Sequence, residues 1–409
     1  MEYEIIRLDN GIRAVFHRQP SPITHTCLVI NAGSRDEDAG KYGVAHFIEH
    51  LLFKQTERRS MQQILNHLEA VGGDLNAYTT KEYTCLHASV LKPHLSKALD
   101  LFEDIIFHST FPEEEMEKEK SVILDEMASY RDSPEESIMD DYEDLIYQGS
   151  GLGHNILGLE DDLKALTSND VRQFIQQNYD TRNMVIGITG DYDLRTVEKM
   201  LKRYFEPVAA NHPEARIRTT QELQLGLQQE LVKPINQVHY MLGAPAYSMF
   251  DERKTGLLLL NNMLGGLGMS SILNLKIREK YGIAYTIESN YGLFTDTGLF
   301  SIYLGTDEEK IKKAKKLVFK ELDKLKEKAV SESQLQKAKH KFKGQIALAE
   351  ENRMSMIISE AKNVMDYDRV VSLGEVFQKI DQVSSIDLLN IAQDVFDEQK
   401  LTSLTFLPE

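Results

Sequence analysis

The chain has 409 residues, 42% of them hydrophobic and 8% aromatic. That is enough apolar material for sizeable cores and, by length, for two domains of about 200 residues each. The formal net charge of −17 argues against a nucleic-acid partner, because phosphates select basic proteins.

No apolar run approaches the roughly 18 residues that a membrane helix needs. The first residues, Met1 to Leu8, lack the cationic start and apolar core of a signal peptide. A cytoplasmic chain that makes no membrane contact is therefore expected. Met1 to Leu8 alternates like a strand and runs into Asn10-Gly11, a hairpin signal, before Ile12 to Phe16. Cys27 and Cys85 are the only cysteines and sit in strand-like stretches. They read as buried free thiols, and two cysteines make no disulfide framework.

Residues 46–50 read His46-Phe47-Ile48-Glu49-His50. On a helix, positions i, i+3 and i+4 share one face, so both imidazoles can reach one ion with Glu49 beside it. His-x-x-Glu-His is the inverted zinc-protease helix motif. Zinc held by imidazole nitrogens with an open position, and Glu49 as general base, is the chemistry it points to. The flanking Val44, Ala45, Ile48, Leu51 and Leu52 are apolar, and a buried helix must find partners for two His and a Glu. Core histidines bonded to backbone account for one such group, less easily for all three.

A catalytic zinc site needs a third protein ligand. Pro112 stands at a helix start, with Glu113, Glu114 and Glu115 in the first turn. Glu119 and Glu126, seven apart, share one face of that helix, and Val122, Ile123 and Met127 supply an apolar stripe. Glu126 is the better inward-facing candidate, and the carboxylates from Glu113 to Glu117 read as a solvated face. Further on, 183–190 reads as a buried strand and 191–205 as an amphipathic helix with Asp193 near its start. The segment 206–227 loses periodicity and reads as a linker. A catalytic domain over 1–205 and a second domain over 228–409 follow. The glycine-rich run from Leu264 to Ser271 is no phosphate loop, because it lacks the Lys-Ser/Thr of a Walker motif. By its residues it reads as a helix-to-helix connection. Charge is uneven: residues 1–204 hold 36 acidic and 21 basic side chains, a balance of −15, and the remainder 28 and 26, a balance of −2. Simple solubility explains this, as does a preference for cationic peptide segments.

Taken together, these motifs resemble the M16 metallopeptidases, the family of pitrilysin, insulin-degrading enzyme and mitochondrial processing peptidase, in a short two-domain form. That family has His-x-x-Glu-His followed by a glutamate ligand, with another glutamate seven residues before it. The resemblance implies His46, His50 and Glu126 as ligands of one Zn2+ per chain, Glu49 as the base, and Glu119 as a carboxylate orienting a ligand histidine. Three more stretches are similar. The run from Gly73 to Thr79 resembles the strand that pairs with substrate backbone, which implies Asn76 and Ala77 in substrate binding. The run from Gly153 to Gly158 resembles the loop after the ligand helices. The run from Arg278 to Tyr285 resembles the motif whose Arg278 and Tyr285 reach substrate. For the glycine-rich run from Leu264 to Ser271, the resemblance implies a flexible loop near the substrate path.

The halves also repeat weakly. Lys41 to His46 aligns with Lys254 to Leu259, setting His46, Glu49 and His50 against Leu259, Asn262 and Met263. Likewise Ala338 falls at the Glu119 position and Gln345 at that of Glu126. The fold class expected is α+β, two homologous α/β-layer domains related by internal repeat and together a half-clamshell of the family type. The function expected is zinc-dependent cleavage of unstructured peptides, with a homodimer or a heterodimer with a related chain completing the chamber. The alternatives are a non-catalytic assembly subunit, which typically has a broken ligand set, and another zinc hydrolase chemistry such as deacylation.

Overall fold

The computed structural model describes residues 3–214, 216–220 and 223–409; Met1 and Glu2 of the expected first strand, and Ala215, Gln221 and Glu222 of the expected linker, lie outside them. The described residues pack as two compact units. One comprises Met1–Met127, Asn155–Ile217 and Leu348–Val371; the other comprises Ala128–His154, Arg218–Ala347 and Ser372–Glu409.

The first unit is built on six strands, β1 (Tyr3–Arg7), β2 (Arg13–Arg18), β3 (Ile23–Ile30), β4 (Asp74–Thr79), β5 (Thr84–Leu91) and β6 (Met184–Gly190). Their order is β1-β2-β6-β3-β5-β4. β1 and β2 form the expected hairpin around Gly11, with Arg7 opposite Arg13. Helices α1 (Val44–Leu51), α2 (Met61–Glu69), α3 (Leu95–Phe107), α4 (Glu113–Arg131), α5 (Pro134–Ile146), α6 (Glu160–Ala165), α7 (Ser168–Asn178) and α8 (Leu194–Phe205) follow in chain order. Asp193 is the N-cap of α8, accepting from the Thr196 amide, so that helix starts later than 191.

The second unit carries β7 (Gln228–Lys233), β8 (Val238–Ala246), β9 (Thr286–Leu293), β10 (Gly298–Thr306) and β11 (Thr402–Pro408), in the order β7-β11-β8-β10-β9. With β7 standing for β2, β11 for β6 and β8, β10, β9 for β3, β5, β4, this is the first sheet without its edge strand β1, down to the single parallel pair in each. The remaining helices are α9 (Lys254–Leu264), α10 (Ile311–Glu327), α11 (Glu332–Ala349), α12 (Arg353–Tyr367), α13 (Leu373–Gln382) and α14 (Ser385–Val395). The glycine-rich run links α9 to a π-helical turn at Asn274–Glu279, a helix-to-helix connection.

Side chains alternate across a strand, and both sheets are buried on both faces. In the first, Ala14, Phe16, Leu28, Ile30, Ile186 and Ile188 face one core. Their neighbours Val15, Cys27, Val29, Cys85 and Val185 face another, made with Ile357, Ala361 and Val364 of α12. The second sheet does the same with α5, whose Ile138, Tyr142 and Ile146 pack on Met241, Leu299, Tyr303 and Phe406. Each half of the sequence thus lends one helix to the other half's sheet. Cys27 and Cys85 are buried free thiols, and burial pushes the Cys27 thiol well up.

Candidate metal centre

α1 is short, and its N-terminus lies inside the protein. Its first amides are satisfied by one buried carboxylate: Glu37 accepts from the Gly43 and Ala45 amides, each at 2.8 Å. Acidic groups favour this end of a helix. The N-cap Gly43 has φ +96°, a left-handed conformation that costs other residues. A Cβ on Gly43 would meet Leu157 O at 2.5 Å, and one on Gly158 would meet Tyr42 O at 2.1 Å. The run from Gly153 to Gly158 therefore ends by packing against the start of α1.

This seating turns His46 and His50 to one face, their ring centroids 4.7 Å apart. Among the described residues, His46, His50 and Glu126 form one group able to hold a metal, with ligand atoms all within 4.8 Å of one another. Glu126 Oε2 lies 3.6 Å from His50 Nε2 and 3.9 Å from His46 Nε2. Tetrahedral zinc with bonds near 2.0–2.1 Å sets its ligands roughly 3.3 Å apart, so the three side chains must draw together from the present span of up to 4.8 Å to share one ion. Burial and the neighbouring His50 hold the His46 imidazole down to about 4, so it is neutral, with a lone pair free, near pH 7. Two imidazoles and a carboxylate are the donor set of a catalytic zinc.

Glu126 is 45% exposed at its side chain, less inward than the sequence suggested, and Val122 of the expected apolar stripe is exposed too. The core side of α4 is made instead by Met116, Glu119, Ile123 and Met127. Glu119 is the buried carboxylate, and its Oε2 lies 3.1 Å from His50 Nδ1. With Nδ1 donating there, His50 Nε2 is left to a ligand. The other oxygen of Glu119 lies 2.6 Å from Lys54 Nζ.

Glu49 sits on the same helix, and its Oε2 is buried without a hydrogen-bond partner. Burial pushes its carboxyl up, Thr79 and His50 draw it partly back, and the Glu126 charge adds to the rise. Thr79 ends β4, the edge strand of the first sheet, which carries Asn76, exposed, and Ala77, half-buried. Arg278, half-buried, and Tyr285, 53% exposed, belong to the second unit. The Tyr285 hydroxyl donates to Asp307 Oδ1 at 2.9 Å.

The sequence reading missed Glu37 and Lys54. Neither falls in a periodic pattern; the only signal for Lys54 is its spacing of four from His50.

In the second unit, α9 and α11 keep the juxtaposition without the ligands. Asn262, aligned with Glu49, donates to Gln345, aligned with Glu126, at 2.8 Å. Leu259, aligned with His46, is fully buried in the apolar core.

Comparison with known proteins gives two family matches along the chain. Residues 13–160 match the family described as Insulinase (Peptidase family M16), and residues 165–342 match the Peptidase M16 inactive domain. An uncharacterized zinc protease of Bacillus subtilis is 32% identical over 97% of this chain and 96% of its own. Another from Streptomyces coelicolor is 32% identical over 97% and 88%. In fold, the chain is similar to a protease from Helicobacter pylori at a TM-score of 0.91 and 23% identity, each chain covered fully. A peptidase M16 inactive domain from Pseudomonas fluorescens matches at 0.91 and 20%, over 100% of this chain and 99% of that one. The chain belongs to peptidase family M16, in its short two-domain form.

Proposed function

We propose that the protein is a zinc-dependent endopeptidase acting on unstructured peptides. The observation that carries this is the convergence of His46, His50 and Glu126 on one point, with the Glu49 carboxylate beside them on α1. Zinc bound there supplies a Lewis acid for the scissile carbonyl and for the attacking water. Glu49 takes the proton of that water and delivers it to the leaving amine. The open side of β4, at Asn76 and Ala77, pairs with peptide backbone by strand addition, a mode that reads backbone rather than sequence. Glu119 holds the Nδ1 proton of His50 and so fixes the imidazole.

The direct test is digestion of an unstructured peptide library by the purified chain, with and without a chelator. Cleavage that persists at full rate after the metal is stripped refutes the reading. Metal content gives a second check. One zinc per chain is expected, because the aligned positions of the second half hold Leu259, Met263 and Gln345. Glu126→Gln removes a charged ligand and should leave the chain substoichiometric after dialysis. Two tightly held zincs, or full occupancy in a His46→Ala/His50→Ala variant, contradict the assignment.

We also propose a two-fold homodimer in which Arg278 and Tyr285 of one chain complete the zinc site of the other. What supports it is that one unit bears the ligand set and the other the Arg/Tyr pair. Mixing inactive Glu49→Gln with inactive Arg278→Ala/Tyr285→Phe should then restore activity, since some mixed dimers hold one intact site. No recovery on mixing, or a fully active monomer, excludes this assembly.

A further inference from the structure

We propose that Lys54 is a positioning residue for the zinc ligand His50, acting through Glu119; this rests on the metal reading above. Lys54 lies four residues past His50, in the turn that ends α1, where its amide donates to Leu51 O at 3.1 Å. The Glu119 carboxylate is gripped at both oxygens, Oε1 by the Lys54 ammonium at 2.6 Å and Oε2 by His50 Nδ1 at 3.1 Å. Neither partner of the ion pair is well hydrated, the side chains being 19% and 9% exposed. The attraction is therefore less screened than at a surface. Without the ammonium, the carboxylate is free to rotate away from the geometry in which Oε2 meets the imidazole.

The segment that directly follows Lys54 is pinned to α3. Asp104, fully buried, accepts from Thr56 Oγ1 at 2.9 Å and from Arg58 Nε at 2.7 Å. Arg59 reaches the same carboxylate at 2.5 Å and also bonds Asp100. Lys54 thus approaches Glu119 from an anchored backbone rather than from a loose loop. The second histidine has no such device, because His46 Nδ1 is buried without a hydrogen-bond partner. Orientation of the histidine pair by partner side chains rests on the Lys54–Glu119–His50 line. A ligand imidazole whose other N–H is held binds metal more tightly, and losing such a partner typically weakens metal binding about 10- to 100-fold.

The test is the zinc dissociation constant of the full chain, measured by competition with a chromophoric chelator, beside thermal unfolding of the metal-free protein. Lys54→Met keeps the stem and removes the charge. It should weaken zinc by roughly 10- to 100-fold with little change in metal-free unfolding, and Lys54→Arg should recover most of the affinity. Because Lys54 acts through Glu119, the double variant Lys54→Met/Glu119→Gln should bind zinc no more weakly than Glu119→Gln alone. Should Lys54→Met fail to fold, Lys54→Gln allows the same comparison. An unchanged affinity, or losses that sum in the double variant, overturns the proposal. Tight wild-type binding with an indifferent Lys54 refutes this inference alone, whereas a wild-type chain that binds no zinc refutes the metal reading with it.

Discussion

Glu49→Gln should keep its zinc and lose peptide cleavage, with a fall in kcat of about 10² to 10⁴, more if the same carboxylate also delivers the proton to the amine. The substitution is nearly isosteric, so the apolar packing of Phe47, Ile48 and Leu51 on α1 is left as it is. Glu49 is outside the ligand group of His46, His50 and Glu126, which is why metal content should not change. The loss should fall on kcat more than on KM, because proton abstraction belongs to the transition state and not to peptide binding. Burial raises the Glu49 carboxyl, which moves a carboxylate toward the basicity a general base needs near neutrality. A bound cation pulls the other way. Single-turnover cleavage of a quenched fluorescent peptide, with zinc measured on the same sample, decides the matter. Near wild-type turnover by a zinc-loaded Glu49→Gln protein would mean that another group takes the proton.

How much of this was legible in the sequence depended on the range of each interaction. The His46, Glu49, His50 face could be read because a helix fixes i, i+3 and i+4 locally. Glu126 could be reached because its spacing from Glu119 is also local to one helix, although its exposure was misjudged: apolar neighbours in sequence do not say which side of α4 meets the core. The repeat could be read as a register, and Asn262 and Gln345, which that register set against Glu49 and Glu126, are hydrogen-bonded to each other. Glu37 could not be read, since an acidic residue six before Gly43 becomes a helix cap only when the intervening turn folds back. Lys54 is similar, for its partner lies 65 positions later. Hardest to see was the exchange of α5 and α12. Their apolar stripes state that each covers something, and nothing in a stripe states which sheet.

That exchange leads to the second large effect. A fragment ending near residue 217, which holds every residue of the metal centre, should not fold on its own. It lacks α12, and without α12 the outer face of the first sheet exposes Val15, Cys27, Val29, Cys85 and Val185, all fully buried in the whole chain. At about 1.5–3 kcal/mol for each large apolar side chain returned to water, the loss is on the order of 10 kcal/mol. That is comparable with the whole stability of an ordinary domain, about 5–15 kcal/mol. Polar groups add to it. Arg13 donates to Val364 O at 2.7 Å and to Asp368 Oδ1 at 3.1 Å, and His17 Nδ1 pairs with Glu360 Oε1 at 2.8 Å. Arg13 and His17 are themselves buried, and a buried polar group stripped of its partner costs more than the bond was worth. A contiguous catalytic domain over 1–205 would instead fold by itself. Circular dichroism and thermal unfolding of the fragment separate the two views, and a peptide spanning 348–371 supplied in trans should restore a cooperative transition. A fragment that melts cooperatively at the temperature of the full chain would show that α12 only decorates the sheet.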